Sequence, residues 1–248
     1  MSIAIVILSA GKGKRMLNPT MAKVMSLLGG KPLIGHVLEQ VKPLAPEKIL
    51  VIVGHQKDNV IDYVSSLNFS NLSFVEQMEQ LGTGHAVAQT EQELSEYEND
   101  VLILSGDVPL LSSATILKFI ESHYENDSDL SVLTTETENP TGYGRIVRDS
   151  AGVFKKIVEE KDATDNEKLV KEINSGVYLV RSQLLFSALK NVKNNNASGE
   201  YYLTDIIEIL KNTGAIVNAF LLAEFEELQG INSPEDLLRA ETFFKSNK

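Results

Sequence analysis

Ile3-Ala4-Ile5-Val6-Ile7-Leu8-Ser9-Ala10-Gly11-Lys12-Gly13-Lys14-Arg15-Met16 is the stretch that decides the fold. Its opening run, Ile3 to Leu8, is apolar without a break, the pattern of a strand covered on both faces of a parallel sheet. No basic region precedes the run and no small-residue cleavage site follows it, so it reads as a buried strand and not as a secretion signal. The glycine-rich turn after it stands at the carboxyl end of that strand, where ligands bind in a doubly wound sheet. Gly11 and Gly13 let backbone N–H groups approach an anion closely. Lys12, Lys14, Arg15 and Lys23 gather positive charge around the turn.

Working outward, Leu33, Ile34, Val37, Leu38 and Val41 recur at helical spacing. Ile49 to Val53 is a second buried strand, and Val60, Ile61 and Val64 mark a second helix. Leu72 to Val75 and Val101 to Leu104 are further strands, separated by a helix around Ala86 to Leu94. Ser112 or Ser113 caps a helix bearing Ile116, Leu117 and Ile120. Strand and helix in strict alternation imply right-handed crossovers. After about residue 130 the pattern changes. Arg145 to Arg148 and Val153 to Val158 flank Asp149-Ser150-Ala151-Gly152, a hairpin signal. Ile173 to Val180 is another strand. Thr204 is expected to cap a helix through Leu210 that ends at Gly214. Ser233-Pro234-Glu235-Asp236 opens a last helix that runs to the C-terminus.

The chain has 248 residues, 43% of them hydrophobic, enough for one large α/β domain. With 34 acidic against 23 basic residues its formal net charge is −11, which excludes a basic surface for nucleic acid or an anionic membrane. An acidic chain that takes a phosphate ligand needs local cations and a metal, and the turn at Gly11 supplies the cations. There is no cysteine, which excludes disulfides, zinc–thiolate sites and cysteine nucleophiles. No apolar stretch is long enough to span a membrane. The absence of cysteine accords with a cytoplasmic location, and that is the expectation.

Two familiar phosphate motifs are absent. A dinucleotide fingerprint wants a third glycine where Met16 stands, and no Gly-Lys-Ser/Thr occurs. Taken alone, the turn is equally a tight turn with solvated lysines. Asp107 is equally a turn or cap aspartate, and Asn232 an Asx turn before Ser233. Gln77, Glu159 and Asn174 are equally polar residues bonded within the fold, and Arg15 and Lys23 surface charge. His36, His55, His85 and His123 are scattered and read as structural or surface residues.

Gly11-Lys12-Gly13-Lys14-Arg15-Met16 with Lys23 resembles the G-x-G-x-R-M…K signature of sugar-phosphate nucleotidyltransferases. More matches follow in order: Gln80-Leu81-Gly82-Thr83-Gly84-His85-Ala86, Gly106-Asp107-Val108-Pro109-Leu110, Gly142-Tyr143-Gly144-Arg145-Ile146 and Val158-Glu159-Glu160-Lys161-Asp162-Ala163. Glu172-Ile173-Asn174-Ser175-Gly176, Gly199-Glu200-Tyr201-Tyr202-Leu203-Thr204-Asp205 and Gly230-Ile231-Asn232 complete the set. Together they resemble the uridylyltransferase (pyrophosphorylase) domain of the bacterial GlmU family, N-acetylglucosamine-1-phosphate uridyltransferases. The chain departs from that family at Ala22, often proline there, at Lys14, often threonine or serine, and at Ser105, often tyrosine. It carries none of the hexapeptide repeats of the family's acetyl-transferring β-helix, so acetyl transfer is not expected of it.

The resemblance implies a Rossmann-like, mostly parallel doubly wound sheet with a smaller sugar-binding lobe. The nucleotidyltransferase unit is expected over residues 1–231 and a C-terminal helix over 232–248. The implied reaction is attack of N-acetylglucosamine-1-phosphate on the α-phosphorus of UTP, with Mg²⁺, giving UDP-N-acetylglucosamine for cell-wall synthesis. The alternatives are a uridylyl- or thymidylyltransferase for another hexose-1-phosphate, or a non-catalytic nucleotide-sugar module. By resemblance Arg15, Lys23 and Asp107 are catalytic, and Asp107 and Asn232 hold the metal through oxygen. Leu8, Ser9, Ala10, Gly11, Gln77, Gly82 and Thr83 meet the nucleotide. Ser105, Gly106, Gly144, Glu159, Asn174 and Asn232 meet the sugar.

Overall fold

The computed structural model describes residues 2–16 and 21–246. The side chain of Lys14 and the outer limits of the two expected units, residues 1 and 248, lie outside the described residues.

A central sheet organises the chain. Its strands are β1 (Ile3–Leu8), β2 (Lys48–Val53), β3 (Leu72–Glu76), β4 (Asp100–Ser105) and β5 (Leu130–Glu136), then β6 (Arg145–Arg148), β7 (Phe154–Val158), β8 (Glu172–Arg181) and β9 (Val217–Leu221). The order across the sheet is β9-β5-β8-β4-β1-β2-β3, with the β6–β7 hairpin attached to β8. β1 runs parallel to both β2 and β4, and β2 parallel to β3. Ala4 and Val6 of β1 join one core, and Ile3, Ile5 and Ile7 join the core on the other face. Each such isoleucine contributes about 1.5–3 kcal/mol by leaving water, so β1 anchors both layers.

The alternation read from the sequence holds through the helices Leu33–Val41, Lys57–Ser66 and Ser113–Glu125. Ser112 caps the last of these, its Oγ accepting from the Thr115 N–H at 3.2 Å. The helix expected over Ala86 to Leu94 is two pieces, Thr83–Ala88 and Glu91–Leu94. Thr90 divides them, its hydroxyl donating to the Val87 carbonyl at 2.7 Å in place of a regular turn. Strict alternation ends after β5, where β6 and β7 follow with no helix between, and β8 then runs antiparallel between β4 and β5. Thr204 is not a cap. The chain enters the helix Ile206–Asn212 through a 3₁₀ turn, and the Thr204 hydroxyl instead donates to Glu159 Oε1 at 3.4 Å.

The C-terminal helix Pro234–Ser246 starts at Ser233, whose Oγ accepts from the Asp236 N–H at 3.2 Å. Ala240, Leu237 and Phe244 of this helix pack on Leu28, Leu33 and Ile231. Phe244 also meets the buried His36 ring edge-on, centroids 5.3 Å apart, which agrees with reading His36 as structural. Among the described residues no helix is long and apolar enough to cross a membrane.

Candidate active site

Parallel pairing places Leu8 opposite Ile52 and Ser105, and Val53 opposite Glu76, so the segments after β1, β2, β3 and β4 emerge at one sheet edge. β8 is antiparallel, so its opposite end, Glu172 to Asn174, reaches the same edge. The residues singled out in the sequence converge there from positions 8 to 232.

The glycine turn closes over Lys23. Gly13 has φ +55°, and a Cβ on it would lie 2.7 Å from Lys23 Cβ, so a side chain there would push the turn away. The Lys23 ammonium bridges two oxygens, ion-paired to Asp107 Oδ2 and donating to Asn232 Oδ1 at 2.8 Å. Both Asp107 and Asn232 are held from behind. The Ile231 N–H donates to the Asp107 carbonyl at 2.9 Å. The Asn232 and Ser233 N–H groups donate to Asp236 Oδ2 at 3.0 and 2.9 Å. Partial burial works against ionisation of Asp236, but these donors and Arg239 hold its carboxyl below the usual range. One carboxylate oxygen and one amide oxygen facing one cationic nitrogen are a donor set that suits a hard divalent cation. Among the described residues there is no group of three or more His, Cys, Asp or Glu side chains that could hold a metal ion. Arg15 is exposed and makes no ion pair among the described residues, and its charge is felt at the Tyr143 hydroxyl.

On the β3 side, Gln77 is buried. Its Nε2 donates to the Gly82 carbonyl at 3.1 Å and lies 3.0 Å from His85 Nδ1. Those contacts fix the amide orientation. The reading of His85 as structural or surface therefore gains a specific content: it orients Gln77. Gly82 and Thr83 are welded to the later chain, with Gly84 N–H donating to the Tyr201 carbonyl at 2.8 Å and Leu203 N–H to Thr83 Oγ1 at 3.1 Å. Ser9 and Gly106 meet below the turn: a Cβ on Gly106 would lie 2.5 Å from Ser9 Oγ, which is buried and has no hydrogen-bond partner. Ser105 Oγ faces Gly176, 3.3 Å from its Cβ position.

On the β8 side, Gly144, Glu159 and Asn174 come together. The Cβ position of Gly144 is 3.5 Å from both Glu159 Oε1 and Asn174 Cβ, and Asn174 N–H donates to the Gly144 carbonyl at 2.9 Å. Asn174 Oδ1 accepts from the Gly176 N–H at 3.0 Å and its Nδ2 donates to the Tyr178 hydroxyl at 2.7 Å. Burial first, and then the charges of Asp205, Asp162 and Glu200, push the Glu159 carboxyl up against the opposing Thr204 hydrogen bond. A cleft of about 310 Å³ beside Glu159 is lined by Asp162, Tyr202, Thr204 and Asp205.

Asp205 sets a pH test. Burial, then Glu208 and Asp162, push its carboxyl from 3.8 up to about 6. The ionised form is thus less favourable in the fold than in the unfolded chain, so the penalty is full above about pH 6 and fades as pH falls toward about 4. Asp205→Asn removes the charge at nearly the same volume, and the Asp205 side chain makes no cap bond to the helix that the change would lose. Discounted for solvent screening, it is expected to gain on the order of 1 kcal/mol at neutral pH, a few degrees in melting temperature. Calorimetry should show that gain vanish near pH 4; an equal gain at both pH values contradicts the assignment.

The sequence reading assigned no role at the site to Tyr143, Arg145, Glu160 or Asp236, and placed Asp236 only among the acids that open the last helix. Tyr143 stands between Asp107 and Arg15 in charge, its hydroxyl pushed up to about 12 by burial and then by Asp236 and Asp107. The available signal was an arginine at each end of a four-residue strand, Arg145-Ile146-Val147-Arg148, of which Arg145 is the buried one.

Comparison with known proteins agrees with this geometry. The family model described as Nucleotidyl transferase matches residues 4–226. The chain is 43% identical over 235 residues to the bifunctional protein GlmU of Latilactobacillus sakei, covering 95% of this chain and 50% of that protein. It is 42% identical to that of Syntrophomonas wolfei, covering 100% of this chain and 54% of that protein. The chain thus spans about half the length of these relatives. Its fold superposes on a UDP-glucose pyrophosphorylase complexed with UDP-glucose with a TM-score of 0.82 at 19% identity, covering 100% of both chains. A putative glucose-1-phosphate thymidylyltransferase from Bacillus anthracis follows at 0.73 and 20% identity, covering 97% of this chain and 94% of that one. With the glycine turn, the Lys23–Asp107 pair and the Gly144–Glu159–Asn174 group inside the matched span, and only Asn232 just beyond it, the chain belongs to the nucleotidyl transferase family.

Proposed function

We propose that this chain transfers a uridylyl group from UTP to N-acetylglucosamine-1-phosphate in the cytoplasm, releasing pyrophosphate and forming UDP-N-acetylglucosamine. The observation that carries the chemistry is the Lys23 ammonium lodged between Asp107 and Asn232 beside the glycine turn. The choice of base and sugar is supported by the identity of 43% to the bifunctional protein GlmU.

A sugar phosphate is already anionic at neutral pH, so its oxygen attacks the α-phosphorus without a general base. The site has to bring two polyanions together and neutralise the leaving pyrophosphate. N–H groups of the Gly11 to Gly13 turn, just beyond Leu8, Ser9 and Ala10, cradle the triphosphate, and Arg15 and Lys23 face its phosphates. Gln77, with Gly82 and Thr83, reads the edge of uracil through its amide. Gly144, Glu159 and Asn174 hold the sugar and its acetamido group, with Ser105 and Gly106 beneath. Asp107 and Asn232 would hold Mg²⁺, which supplies positive charge at the reacting phosphates.

Pyrophosphate release measured with UTP, dTTP and CTP against several hexose-1-phosphates tests the reading. UTP with N-acetylglucosamine-1-phosphate is expected to turn over fastest. Turnover with glucose-1-phosphate but none with N-acetylglucosamine-1-phosphate contradicts it.

A further inference from the structure

Arg145 is the largest fully buried side chain among the described residues, 1% exposed, in a protein of net charge −11. It sits where three strands meet, opposite Ile173 of β8 and Val158 of β7. Its Nη2 donates to Glu160 Oε2 at 2.6 Å, and its Nη1 donates to the Tyr143 carbonyl. Its Nε is buried with no partner. Glu160 Oε2 also accepts from the Gly142 N–H at 3.1 Å, so one carboxylate ties both sides of the loop.

This arrangement is a poor device for stability alone. A buried guanidinium gives up its hydration, one of its donors stays unsatisfied, and its carboxylate partner is 29% exposed. Apolar residues of similar volume commonly do as well or better in such a place. What the guanidinium does fix is a peptide plane. The Tyr143 carbonyl and the Gly144 N–H belong to one planar trans peptide and point in opposite directions. Pinning the carbonyl therefore aims the Gly144 N–H away from Arg145. That N–H donates to no group among the described residues, while the Gly144 carbonyl is already taken by Asn174. Gly144 is the residue packed against Glu159 and Asn174. The same loop carries Tyr143, whose ring packs edge-on against Phe225, centroids 5.9 Å apart.

We propose that Arg145 and Glu160 are a positioning pair for the sugar phosphate, holding the Tyr143–Gly144 peptide so that its free N–H is presented to the sugar. The inference rests on the reading given under Proposed function. The pair touches no substrate; it acts through Gly144.

Steady-state kinetics with each substrate varied in turn, alongside melting temperatures, test it in Arg145→Met, Arg145→Lys and Glu160→Gln. Lysine keeps the charge but cannot fork to Glu160 and the Tyr143 carbonyl together. Both Arg145 variants are expected to raise KM for the sugar phosphate by about 10- to 100-fold, with KM for UTP within about twofold. Glu160→Gln, which keeps an acceptor oxygen, is expected to move the same constant by less. If Arg145→Met does not fold, the other two variants decide. An unchanged KM for the sugar phosphate in Arg145→Lys and Glu160→Gln overturns the proposal. So does a parallel rise in both KM values that tracks lost melting temperature. Should the wild type use another hexose-1-phosphate instead, the proposed substrate is wrong. The selective rise measured with that sugar still sustains the pair. Should it turn over none, both fall.

Discussion

Asp107→Ala is expected to lower turnover by about a thousand-fold or more, the scale set by losing a group that organises charge at a transferring phosphoryl. Stability should change little. The Asp107 side chain is 15% exposed and its ion-pair partner Lys23 is 16% exposed, so removing the carboxylate leaves a cation that water still reaches. Lys23 keeps its bond to Asn232 Oδ1, and the backbone bond from Ile231 to the residue 107 carbonyl does not involve the side chain. The melting temperature should therefore fall by no more than a few degrees. Turnover within tenfold of wild type would remove Asp107 from the mechanism. A collapse in melting temperature would show instead that the Lys23–Asp107–Asn232 bridge is chiefly a structural clasp.

Gly82→Ala is expected to damage both the fold and the nucleotide side of the site. Gly82 has φ 117° and ψ 174°, a region open essentially to glycine alone. A Cβ there would lie 2.5 Å from the Tyr201 carbonyl oxygen and 2.8 Å from the Tyr201 nitrogen, and both are backbone atoms with no rotamer to change. Strain and overpacking together cost about 3 kcal/mol or more, about 10 °C in melting temperature for a chain of this size. The Tyr201 N–H also donates to the Leu81 carbonyl at 2.8 Å, and the Gln77 amide to the Gly82 carbonyl, so displacement spreads to both. A rise in KM for UTP is expected alongside the thermal loss, read by thermal melts and kinetics on the same preparation. Wild-type values of both would mean that the Gly82–Tyr201 approach is not maintained in solution.

The parallel half of the fold was legible because buried strands are marked by unbroken apolar runs, and β1, β2 and β4 have them. β8 was legible as a strand but not as an antiparallel one, since direction in a sheet depends on partners far along the chain. β5 and β9 were not singled out. Leu130–Glu136 mixes Ser131, Thr134 and Thr135 among its apolar residues, and Val217–Leu221 is half exposed along much of its length. The Thr204 cap failed because local cap chemistry competes with a tertiary acceptor, and Glu159 won. At the site, the side chains of Lys23, Asp107 and Asn232 lie together, and Gly144 packs against Glu159 and Asn174. The part that Arg145 and Asp236 play at the site escaped notice because it is done on backbone groups of neighbouring residues, which no residue pattern advertises.

The bridge from Lys23 to Asn232 closes a span of 209 positions. Closing so long a loop is entropically slow to reward, and it comes only after β1, β4 and the last helix have found their places. The sheet and its helices could therefore be largely assembled in a chain that does no chemistry, and recovery of turnover is the last thing such a molecule regains.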